Sequence, residues 1–117
     1  MSSTSEKLTL VVLESPYAGD VEKNIEYARA CMADCFEMGE APFASHLLYT
    51  QQGVLDDNIP EERRLGIDAG LLWGAAAMKT VVYTDLGITK GMQYGIENAS
   101  KAGRLIAFRT LGGKWSK

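Results

Sequence analysis

Two polar stretches of this chain place hydroxyls, carboxylates and glycines directly after apolar runs, where a small ligand could reach them. The first holds Ser15, Tyr17, Gly19 and Asp20. Its hydroxyls and amides could hold a phosphate or a sugar, and Gly19 would let such a ligand approach the backbone closely. The same residues also suit a plain strand-to-helix turn with Asp20 as the helix cap. The second stretch holds Asp85, Thr89, Gly91 and Met92. Thr89 can cap a helix while that helix's first N–H groups stay free for an anion. His46, the only histidine, could donate to a phosphate or act as a general acid; alternatively it satisfies a backbone carbonyl beneath the following loop. Asp56 and Asp57 read as loop-capping or surface residues. Tyr49, Tyr94 and Trp115 could stack on a base, although aromatic residues also fill interfaces.

Cys31 and Cys35 stand four apart, on one helix face, where a disulfide is geometrically awkward. They read as two buried thiols in a reducing cytoplasm. A metal pair would need further Cys or His ligands, and His46 stands alone, so no metal site is expected. No cofactor fingerprint is present either.

The scaffold for these residues follows from the apolar pattern. Residues 8–13 (LTLVVL) are a short β-branched run, read as a strand buried on both faces. From residue 21 to 38, Ile25, Ala28, Cys31, Met32, Cys35 and Phe36 fall at helical spacing, with Asp20 as cap and Gly39 as the stop. Residues 41–44 (APFA) make a second strand. The stretch 45–60 has no clear period and reads as a long functional loop carrying His46. Pro60 suits the first position of a helix running to about residue 78, with Leu65, Ala69, Leu72, Trp73 and Ala76 as its apolar face. On that face Trp73 belongs to the core or to a subunit interface, whereas Trp115, in a polar tail, is exposed unless a partner covers it. Residues 80–83 (TVVY) form a third strand, 89–102 a helix closed by Gly103, and 105–108 (LIAF) a fourth strand.

Strand and helix therefore alternate, which predicts a three-layer α/β domain: a mostly parallel sheet of four to five strands, Rossmann-like, with helices on both faces. One domain over residues 8–110 is expected, with a flexible stretch 1–7 and a tail 111–117. In such sheets ligands sit beyond the carboxyl ends of the strands, where both polar stretches lie. The net charge of −3 argues against a nucleic-acid polymer or an anionic membrane as partner. No segment approaches the length of a membrane span, and the polar start is not expected to be a signal peptide, so a cytoplasmic protein is anticipated.

Three stretches carry a family resemblance: SPYAGDVEKNIEYA at 15–28, PFASHLLYTQ at 42–51 and YTDLGITKGMQYGIENA at 83–99. Together they resemble the nucleoside 2-deoxyribosyltransferase-like family, including its small phage and bacterial members and the deoxynucleoside-monophosphate N-glycosidases. The resemblance implies a nucleotide or nucleoside-derived ligand; in such enzymes glycosidic chemistry is carried by a glutamate four residues after the glycine that opens the third helix. Counting from Gly91 puts that position at Gly95, which has no side chain. Glu97 is the nearest carboxylate, yet two residues of helix turn it about 200° away. Asp68 would match an acidic ligand contact of the family, and Asp85 is a further candidate catalytic carboxylate. The expectation is a nucleotide-binding protein, which in a phage could capture a host nucleotide signal. The alternatives are an N-glycosidase or deoxyribosyltransferase using Glu97, Asp85 or Asp68, and a non-catalytic interaction protein. The resemblance also implies a homo-oligomer, with Trp73, Met78, Tyr94 and the tail as contacts.

Overall fold

Among the described residues four strands form one sheet: β1 (Thr9–Glu14), β2 (Glu40–Phe43), β3 (Lys79–Tyr83) and β4 (Leu105–Arg109). Four helices connect them: α1 (Val21–Glu37), α2 (Ser45–Leu48), α3 (Pro60–Gly74) and α4 (Lys90–Lys101). This computed structural model describes residues 8–113 and residue 115; the stretch 1–7 and the rest of the tail lie outside the described residues. All strand pairs are parallel, in the order β2-β1-β3-β4. Chain direction across the sheet therefore reverses between β1 and β3. Right-handed crossovers then place α1 on one face and α3 and α4 on the other.

Side-chain alternation sorts the residues between those faces. Val11, Leu13, Val81 and Tyr83 point to α1 and join Tyr27, Cys31, Cys35 and Ala44 in one buried cluster. Burying each large side chain there contributes about 1.5–3 kcal/mol. Both cysteines are free and fully buried, as their shared helix face predicts. Asp20 does cap α1, its carboxylate accepting from the amide of Lys23. Thr89 caps α4 in the same way through Met92 N.

The structure corrects four expectations. β1 is not buried on both faces: Leu10 is 53% exposed, because α3 ends at Gly74, opposite Val12, and no helix reaches further. Residues 45–60 are not all loop, since Ser45–Leu48 form the single turn of α2. The helix after Pro60 stops at Gly74, four residues short, and its expected apolar face points outward. Leu65, Leu72 and Trp73 are 59%, 78% and 65% exposed. Facing inward instead are Gly66, Gly70 and Gly74, and a Cβ at Gly70 would stand 2.6 Å from Ser45 Oγ. The glycine row lets α3 settle closely on α2 and β1, which outweighs the pull of the larger apolar row. Finally, Trp115 is half-buried by its own chain, meeting Tyr27 edge-to-face with ring centroids 5.0 Å apart.

Candidate functional site

The last residue of β1 decides the chemistry of the cleft. Glu14 follows Val12 on the α3/α4 side, so a strand that is otherwise apolar ends by directing a carboxyl between two helices. There it lies against Gly95 of α4. A methyl group at that position would meet the Glu14 carboxyl carbon at 2.5 Å and Oε2 closer still, so the Glu14 side chain would have to move aside. The Glu14 carboxyl thus fills the space that a side chain at position 95 would use.

Around Glu14 opens a cavity of about 270 Å³. Its walls come from the end of β1, from α2, from the inner row of α3 and from the first two turns of α4. It sits beyond the carboxyl end of β1 and beside β3, at the reversal of strand order, where open parallel sheets hold their ligands. The polar side chains facing it include Ser15, His46, Arg63, Asn98 and Arg104.

Burial pushes the Glu14 carboxyl up to about 8, with the Arg104 guanidinium pulling the other way. Arg104 is itself engaged, donating from Nη1 to Thr80 Oγ1 at 3.2 Å. No described residue hydrogen-bonds or ion-pairs with the Glu14 carboxyl. Burial also pushes His46 down to about 4, so the imidazole is neutral at pH 7. Its Nε2 lies 2.7 Å from Ser15 Oγ. The rim is charged: Arg63 meets Asp57 at 3.5 Å and lies beside Gly91 at the start of α4. The cavity therefore offers a buried carboxyl with Arg104 nearby, a hydroxyl–imidazole pair, and a mouth carrying a guanidinium next to a helix N-terminus.

The predicted site residues divide between this cavity and other roles. Ser15, Tyr17, His46, Thr89, Gly91 and Met92 line it. Gly19 does not; it faces a second hollow outside, shared with residues 50–58. Asp20 is occupied as the α1 cap. Asp68 is exposed on α3 and Glu97 is exposed on α4, where it accepts from Gln93 Nε2 at 3.4 Å. Asp85 turns to the opposite face of the sheet. Its carboxylate accepts from Tyr27 Oη at 2.6 Å and from the amides of Leu111 and Gly112 at 2.9–3.0 Å. Burial alone would raise its pKa, but these donors outweigh it and hold the carboxylate below its ordinary range. It anchors the tail. Asp56 does cap its loop, accepting from Asn58 N at 2.9 Å. Glu14, Ser45, Arg63, Asn98 and Arg104 were not foreseen. Only Glu14 left a usable signal, a carboxylate closing a run of apolar strand residues.

No helix among the described residues is long and apolar enough to cross a membrane. Among the described residues no group of three or more His, Cys, Asp or Glu could hold a metal ion. The fold is similar to that of the 2-deoxyribosyltransferase from the psychrotolerant bacterium Bacillus psychrosaccharolyticus, a biocatalyst for nucleoside synthesis. That similarity has a TM-score of 0.61 at 16% identity and covers 86% of this chain and 72% of that one. It establishes a distant relationship of fold, the level at which the resemblance of the three sequence stretches holds. No curated protein matches the sequence. Residues 9–109 match a domain family of unknown function, DUF7768, and the chain belongs to that family.

Proposed function

We propose that this chain binds a nucleoside or nucleotide-like small molecule in the cavity between α3 and α4. The observation that carries this reading is the unpartnered Glu14 carboxyl enclosed there, on a fold similar to that of a nucleoside-processing enzyme. About 270 Å³ lies just under the common range of roughly 300–1,000 Å³ for small-molecule pockets, which suits one nucleoside rather than a dinucleotide. Arg63 and the free amides at the start of α4 supply the place for a phosphate at the mouth. Capture of a nucleotide signal without turnover is the biological form of this reading.

Glycosidic cleavage is the second reading, and one observation favours it: a carboxyl that holds its proton near neutral pH can donate that proton to a leaving base. Deoxynucleosides and their monophosphates, incubated with the protein, separate the two. A raised melting temperature without free base supports the binder, and base release supports the enzyme. No stabilisation by any of them removes both readings.

The same reading includes a homo-oligomer, with the outward Leu72, Trp73 and Met78 of α3 and its exit as the contact between copies. Light scattering should show a particle larger than one chain that Trp73→Glu reduces to a monomer. A wild-type monomer at micromolar concentration removes this part.

A further inference from the structure

We propose that Glu14 works in the cavity as a neutral carboxylic acid, donating through its O–H and accepting through its C=O to an adjacent acceptor–donor pair on an uncharged ring. This deepens the nucleoside-binding reading and rests on it. A carboxylate presents only acceptors and selects diols, ammonium groups or amidinium-like edges. A carboxylic acid instead matches a ring nitrogen or carbonyl standing next to an N–H, the edge that nucleobases display.

Three features of the site favour the protonated form. The carboxyl is enclosed between β1 and α4, pressed against Gly95, where water can reach it only through the cavity. No described cation lies within ion-pair distance of it. None of the described charged and titratable side chains facing the same cavity pairs with it. His46, from α2, is neutral. Arg104, before β4, pulls toward the anion from beyond ion-pair distance while donating to Thr80, and burial outweighs it. Arg63 is paired with Asp57 at the mouth, and Glu62 adds a further negative charge there. Lys90, at the start of α4, is exposed to solvent. Burial accordingly sets the balance, and the carboxyl titrates at about 8.

Glutamine has the shape of a neutral carboxylic acid, with one donor and one acceptor, and cannot ionise. Binding of thymidine and of adenosine is therefore to be measured at pH 7 and pH 9 in the wild type, Glu14→Gln and Glu14→Ala. The wild type should weaken roughly ten-fold over that interval, as one required proton with a midpoint of about 8 dictates. Glu14→Gln should bind with little pH dependence and Glu14→Ala should lose binding at both. Loss of binding in Glu14→Gln at pH 7, or wild-type binding that tightens as pH rises, would overturn the proposal, since either means that the anion does the work. Equal binding in wild type and Glu14→Ala would overturn it as well. If neither nucleoside binds, the binding reading itself falls, and the titration of the Glu14 side-chain carbon by NMR then decides separately. A midpoint in the ordinary carboxylate range overturns the neutral acid, and one near 8 sustains it.

Discussion

The two faces of the sheet treat their ionisable groups in opposite ways. On the α1 face the buried charges among the described residues have found partners within the chain. Glu40 receives Arg109 through both oxygens at 2.6 and 2.8 Å and Lys79 at 2.8 Å. Arg109 also donates to Tyr83 Oη at 3.2 Å, and the Tyr83 hydroxyl donates to Asp34 at 2.7 Å. Tyr27 and the tail amides close around Asp85. On the α3/α4 face Glu14 is enclosed and left without a described partner. The outcome is visible in two glutamates one strand apart. Arg109 foremost holds Glu40 down at about 2, and burial lifts Glu14 to about 8. A saturated network holds a fold together; an unsaturated group in a cavity is available to something else.

Removing a member of the closed network should cost most. Arg109→Met leaves Glu40, only 3% exposed, with Lys79 alone, and should lower unfolding free energy by about 3 kcal/mol. Urea titration would show this as a lower midpoint at unchanged slope. A loss below about 1 kcal/mol would erase the contrast between the faces. The network's pH dependence has a defined sign. Glu40's contribution is complete above its ordinary value of 4.5 and is lost as pH falls toward 2.

Glu14 should act in the reverse sense, with a smaller effect. Its raised folded-state pKa means that the folded protein keeps a proton which the unfolded chain releases near 4.5. Stability should therefore decline as pH rises from 4.5 to 8 on its account, and the deficit is full above 8. Glu14→Gln removes the slope and should gain on the order of 1–2 kcal/mol at pH 9, the discount reflecting the side open to the cavity. A variant less stable than wild type at pH 9 would mean that the carboxylate has a partner after all.

Acid adds a third test from the same cavity. His46, held neutral, is charged in the unfolded chain below its ordinary 6.5, so its share of stability is lost as pH falls from 6.5 toward 4. In His46→Gln, thermal denaturation across that interval should show a shallower decline. The smallest effect belongs to the rim. Asp57→Asn breaks an ion pair whose side chains are 45% and 26% exposed, and should change stability by no more than about 0.5 kcal/mol. If it instead weakens nucleotide binding, the rim belongs with the site.

Much of the scaffold could be read from the chain, because its signals are local. β-branched runs, helical spacing, the Asp20 and Thr89 caps and the alternation of strand and helix each depend on residues a few positions apart, and the parallel α/β sheet follows from them. Apolar size misled where packing depended on absence: the Gly66, Gly70 and Gly74 row, not Leu65, Leu72 and Trp73, faces inward toward Tyr49, Ser45 and β1, since close approach is a property of pairs of elements.

Ser15, Tyr17, His46 and the start of α4 could be placed near one another because the ends of parallel strands converge by topology. Only the tertiary structure decided which carboxylate enters the cavity. Glu14 ends β1 and Asp85 follows the end of β3 by two residues, and nothing local tells which enters the cavity. Asp85 meets a tyrosine 58 positions away and the tail amides, while Glu14 meets a glycine on α4. Contacts at such separations, rather than the residues' own types, set the partners, the burial and hence the charge of each group.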